Sequence, residues 1–196
     1  ADKFLRMMAC LESQPPVDWA FAAEERKDAD PSPYYNLPTD GSFRMVNGEA
    51  LWRQILTRGQ YPSGEIAAGF FRRPFLAARD WLMGDFLGER PLILTMWRTL
   101  LSPLPGRSAP TVGVLPTALA RTPQKTPAPL DELWRQMEWG CLLTEDRERL
   151  SPEQEKTAIE CFYAAWERAQ AWRGEIPEPL WESYTGMARD ICGKNV

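Results

Sequence analysis

The sequence predicts an α/β fold of the α+β kind, a small mixed sheet with a helix-rich remainder. Two patterns carry that prediction. Ser42-Phe43-Arg44-Met45-Val46 alternates polar and apolar residues, the period of a half-buried strand, between the turn formers Asp40-Gly41 and Asn47-Gly48. In the C-terminal third, apolar residues recur at helical spacing behind an N-terminal capping signature. With 196 residues, 44% hydrophobic and 26% charged, the chain is globular and long enough to bury a core.

Taken in order, Phe4 to Leu11 reads as a short helix ended by Pro15-Pro16. Asp28 to Pro38 reads as loop, with three prolines around Tyr34-Tyr35. After the strand, Glu49 to Leu56 resumes at helical period through Leu51, Trp52, Ile55 and Leu56, and Thr57-Arg58-Gly59 closes it. Further helices are expected from Phe75 to Leu87 and from Leu92 to Leu101. A helix from Pro129 to Leu143 places Leu130, Leu133, Trp134 and Met137 on one face. Ser151-Pro152-Glu153-Gln154 supplies an N-cap serine, a proline at the first helical position and a capping-box glutamine. Ile159, Phe162, Trp166 and Ala169 follow it, Gly174 offers a stop, and Pro179 to Ile191 forms a third helix.

Charge divides the chain into three regions. Residues 1–101 hold 12 Lys/Arg and 13 Asp/Glu and read as the core. Residues 102–130 hold seven of the 18 prolines, three basic residues and no acid, and read as a long irregular connection. Residues 131–196 hold 8 basic and 14 acidic residues, an acidic helical region packed on that core.

Composition excludes several chemistries. There is no histidine, so acid–base work falls to carboxylates, Arg/Lys or backbone amides, and no His can ligate a metal. Cys10, Cys141, Cys161 and Cys192 are widely spaced, which predicts reduced thiols and a cytoplasmic protein. No Walker loop, Gly-x-Ser-x-Gly or paired Cys motif occurs. No run approaches the ~18 apolar residues of a membrane span, and the N-terminus has no basic-then-apolar signal pattern, so no membrane insertion is expected.

One constellation carries chemical content. Strand, Asn47-Gly48, then helix is a geometry that suits phosphate, because a helix N-terminus offers unpaired amides and glycine lets an anion approach the backbone. The amides of Asn47, Gly48 and Glu49 are the expected cradle. Arg53 follows Glu49 by four residues, and Arg44 and Arg58 add charge nearby. In the structurally simpler reading, Gly48 only makes the turn and Glu49 only favours the helix start.

The wording of Asp40 to Gln54 resembles the ParB/sulfiredoxin superfamily, with its aspartate-glycine turn, short strand, Gly-Glu-Arg-Arg box and arginine-bearing helix. Gly48, Glu49 and Arg53 match that pattern, while Ala50 and Leu51 stand where the box has paired arginines. The catalytic cysteine and histidine of sulfiredoxins are absent. Within the superfamily the chain looks like the plasmid fertility-inhibition proteins of the Osa type. That resemblance implies a ParB/sulfiredoxin-like fold and inhibition of conjugative DNA transfer, with ATP hydrolysis and DNA cleavage. Glu49 and Arg53 would be catalytic, ATP and Mg²⁺ the cofactors, and DNA a partner beside a conjugative coupling ATPase.

Other residues offer alternatives. Between Asp40 and Leu101 lie eight arginines, no lysines and six acids. Arg58, Arg72 and Arg73 are candidate nucleic-acid contacts in this series, which Arg79, Arg90 and Arg98 continue, with Phe70-Phe71, Trp81 and Trp97 interleaved as stacking groups. Asp80, Asp85 and Glu89 are the oxygen donors a Mg²⁺ ion would need, although the five-residue spacing of the aspartates shares a helix face poorly. The competing function is a non-enzymatic protein that blocks a secretion or conjugation ATPase through aromatic and acidic surfaces.

Overall fold

The computed structural model describes residues 2–25, 42–60, 69–79, 93–118 and 128–193. The expected loop at 28–38, the Asp40-Gly41 turn, the Asp80, Asp85 and Glu89 carboxylates and most of the helix expected at 75–87 lie outside them. Two compact units interleave along the chain: Ala1–Trp52, Pro62–Pro91 and Arg98–Pro123 form one, and Arg53–Tyr61, Leu92–Trp97 and Gln124–Val196 the other.

The first unit is built on a four-stranded mixed sheet. Its strands are β1 (Trp19–Glu25), β2 (Arg44–Asn47), β3 (Phe70–Phe71) and β4 (Thr111–Ala118), in the order β2-β4-β1-β3. The central pair is parallel, with Trp19 opposite Val112 and Ala20 opposite Gly113. Both edge strands run antiparallel to their neighbours.

Side-chain size explains how this sheet is covered. Ala20 and Gly113 form a floor of small residues beneath helix α1 (Asp2–Leu11), and Met7, Cys10, Val17 and Leu115 close over it. A Cβ on Gly113 would lie 2.1 Å from the Cys10 Sγ, so the glycine is what lets the thiol sit there. Large rings fill the alternate positions, with Trp19 stacked on Phe21 and on Phe71 at 5.1 Å in each case.

Three sequence expectations change here. The segment 102–130 is not wholly irregular, since it contains β4, a central strand of the sheet. Pro116 lies in β4 beyond Thr111–Val114, the residues in register with β2. The strand expected at 42–46 runs Arg44–Asn47. The helix expected from Phe75 is α3 (Arg73–Ala77), which starts early because Pro74 occupies its first turn. It ends in a tight turn, where the Arg79 amide donates to the Leu76 carbonyl.

The second unit is helical. Its main helices are α5 (Pro129–Glu145), α6 (Pro152–Ala169) and α7 (Glu178–Cys192). The capping box forms as its sequence predicts, with Ser151 and Gln154 satisfying each other's backbone amides. Trp139, Phe162 and Tyr184 meet in the interior, with ring centroids 5.1 and 6.2 Å apart. Gly140 leaves room for the Met187 side chain, whose sulfur would lie 2.3 Å from a Cβ there. Helices α2 (Gly48–Arg58) and α4 (Ile93–Leu101) each contribute residues to both units. The end of α2 is fixed by Gly59, at φ 61°, whose α-carbon faces the Trp139 ring, while the Trp139 Nε1 donates to the Leu56 carbonyl at 2.6 Å.

Candidate anion-binding cleft

The expected cradle at Asn47–Glu49 forms a helix start, but its amides are partly engaged. Asn47 is the N-cap, and its side-chain oxygen accepts from the Ala50 amide at 3.1 Å. The Gly48 amide donates to the Pro110 carbonyl at 2.7 Å and so continues the β2–β4 ladder. A Cβ on Gly48 would lie 2.7 Å from the Leu101 carbonyl oxygen and the Pro110 ring. The glycine therefore serves a close approach of backbone to backbone. Glu49 and Arg53 lie in the first turns of α2, Arg44 is at the opposite end of β2, and Arg58 is at the other end of the helix. The fold does not gather these arginines around Asn47.

A second site lies at the same end of the sheet. Asp18 directly precedes β1, Pro110 directly precedes β4, and Arg72 directly follows β3. Parallel pairing of β1 with β4 and antiparallel pairing of β3 with β1 bring these three positions to one end of the sheet. Together with Pro74, Phe75, Arg79, Leu104, Arg107, Ser108 and Ala109 they line a cleft of about 460 Å³. Three arginines and one aspartate thus belong to a single lining.

Each charged group is held differently. Asp18 closes the N-terminal end of the parallel ladder: its amide donates to the Thr111 carbonyl and its Oδ2 accepts from the Thr111 amide, both at 2.8 Å. The Arg72 amide donates to the Asp18 carbonyl at 3.0 Å, and its Nη2 donates to the Leu11 carbonyl. The Arg72 Nε is buried with no hydrogen-bond partner among the described residues. An unsatisfied buried donor of this kind costs roughly 1–3 kcal/mol.

Arg79 is anchored by its Nε to the Thr99 carbonyl at 3.1 Å and by its Nη2 to the Ser102 carbonyl at 2.9 Å. Its guanidinium also lies 3.9 Å from the centre of the Phe75 ring. Burial lowers its pKa, Asp18 raises it again, and Arg107 lowers it further. Arginine is the most basic of the side chains, so the group remains cationic at neutral pH. Arg107 is exposed, in a turn whose Gly106 has φ 72° and whose Arg107 amide donates to the Leu104 carbonyl.

Of the arginines singled out from sequence, Arg72 and Arg79 line this cleft, while Arg73 is exposed at the start of α3 and does not line it. Arg107 was not singled out by the sequence reading. Its one signal was a basic residue after glycine in an acid-free stretch. Among the described residues no three His, Cys, Asp or Glu side chains cluster as metal ligands, and no helix is long and apolar enough to cross a membrane. All four cysteines are free thiols. No protein-family model, curated protein or solved structure matches the chain.

Proposed function

We propose that the protein binds a phosphate-bearing ligand in the cleft at the end of its sheet. The observation that carries this reading is that three arginines, Arg72, Arg79 and Arg107, and one carboxylate line the same cleft. Two of the arginines are fixed by backbone carbonyls, so their charge is already positioned before a ligand arrives.

The resemblance to the plasmid fertility-inhibition proteins supplies candidates for the ligand, namely ATP or DNA, and a role in blocking conjugative DNA transfer. The cleft suits the phosphates of either. It suits Mg²⁺ poorly, because Asp18 is its one carboxylate and the Thr111 amide occupies an oxygen of it. In this proposal binding comes first, and ATP hydrolysis or DNA cleavage is a separate claim to be assayed. Calorimetric titration with inorganic phosphate, ATP and single-stranded DNA tests it. Binding that weakens in Arg107→Ala and is unchanged in Arg53→Ala supports the cleft; the reverse pattern supports the α2 start, and no binding of any of the three ends the proposal.

A second reading is favoured by exposed hydrophobic side chains. Phe4 and Leu5 on α1 are 53% and 65% exposed, and Trp134 on α5 is 43% exposed. Under it the protein acts by contact with another protein, for which a conjugation ATPase is the candidate. Loss of that contact in Leu5→Glu, with phosphate binding intact, would favour it.

A further inference from the structure

Resting on the reading of the cleft as a phosphate site, we propose that its ligand is a terminal phosphate monoester, bound as the dianion and without recognition of a nucleobase. Charge is the first argument. Arg72, Arg79 and Arg107 against Asp18 leave a net charge of +2 on the lining. A monoester carries about −1.5 to −2 at pH 7, since its second pKa is about 6. An internal phosphodiester carries one negative charge and would leave the cleft cationic.

The second argument concerns the walls. Phe75 is the aromatic residue of the lining. It packs near-parallel with Phe71, their centroids 6.4 Å apart, and carries the Arg79 guanidinium over its ring, so it is already committed as a stacking platform. Pro74, Leu104, Ala109 and Pro110 have no side-chain donors or acceptors, and Ser108 supplies a single hydroxyl. Outside the charged groups that the phosphate would engage, this wall offers a base edge one hydroxyl and no paired set of side-chain donors and acceptors. The lining therefore suits a phosphate with a sugar or other compact body.

A third consequence follows from composition. The chain has no histidine, so no side chain of ordinary pKa titrates between pH 5.5 and 7.5. The second ionisation of the phosphate, with a pKa of about 6, is therefore the expected source of pH dependence in binding over that range.

The same chemistry is presented by a small sugar phosphate and by the 5′-phosphorylated end of a DNA strand. The test titrates the full chain with inorganic phosphate, ribose 5-phosphate, a 5′-phosphorylated oligothymidylate and the same oligonucleotide with a 5′-hydroxyl. At pH 7.5 at least one monoester should bind about tenfold tighter than the 5′-hydroxyl oligonucleotide, and Arg107→Ala should remove most of that difference. Binding of the phosphorylated strand identifies a DNA end; binding of ribose 5-phosphate alone identifies a small ligand. Exchange of thymine for adenine should change affinity less than twofold, and lowering the pH to 5.5 should weaken monoester binding severalfold. Equal affinity for the 5′-hydroxyl strand, or clear base preference, overturns the monoester proposal while leaving a phosphate site standing. Failure of every probe, inorganic phosphate included, overturns both.

Discussion

The two units hold different kinds of polar groups. At the centre of the helical unit, polar groups are paired with one another: Tyr184 donates to Gln136, Gln136 donates to Glu132, and Trp139 donates to the Leu56 carbonyl. Glu138 accepts from the Thr95 amide in the first turn of α4, although burial raises its pKa. In the sheet unit, Arg72 keeps a buried Nε without a partner and two further arginines face the same cleft. Closed networks give rigidity and a single packing. Arginines that line an open cleft can meet an anion, and in the proposed reading the sheet unit binds the ligand while the helical unit is architecture.

The sharpest test of this contrast is Trp139→Ala. It removes a buried indole, its bond to Leu56 and the ring facing Gly59, and should cost about 3–5 kcal/mol in urea denaturation. A cost below about 1 kcal/mol would mean the helical interior is not the fixed assembly described.

Gly113→Ala tests the other unit, where the added methyl meets the Cys10 Sγ; a loss of about 1–3 kcal/mol is expected. The paired change Gly113→Ala with Cys10→Ala should recover much of it.

Cys10 also gives the sheet unit a pH signature. Burial pushes its thiol up from 9.0 to about 11. The folded state favours the protonated thiol, so this contribution is complete below pH 9 and is lost as pH rises from about 9 to 11. Thermal melting across that range, compared with Cys10→Ala, checks it: the variant should show the weaker pH dependence. The smallest stability effect belongs to Arg107→Ala. Because Arg107 is exposed, stability should change by less than about 0.5 kcal/mol, while phosphate affinity falls.

The same contrast explains what could be read from sequence. Helical signals are local. Ser151-Pro152 and Gln154 sit within four residues and fix the start of α6 wherever it packs. Sheet pairing is not local, since Asp18 and Thr111 bond across 93 positions. Strand β1 hides because it alternates large and small residues, Trp19-Ala20-Phe21-Ala22, in place of apolar and polar ones. Strand β4 hides among prolines. The arginine series was visible, but which members share a cleft depends on the β1–β4 register, and Arg107 lay outside the series altogether. Asn47-Gly48 was legible as strand-turn-helix; that Gly48 meets Pro110 required the fold.

The central claim is the place of the anion. Amide chemical shifts of the isotope-labelled protein, followed during addition of inorganic phosphate, locate it directly. The account predicts saturable shifts at Arg72, Arg79, Arg107, Ser108 and Ala109 that disappear in Arg107→Ala. Shifts confined to Glu49 through Arg53, or none above the salt control, would contradict it.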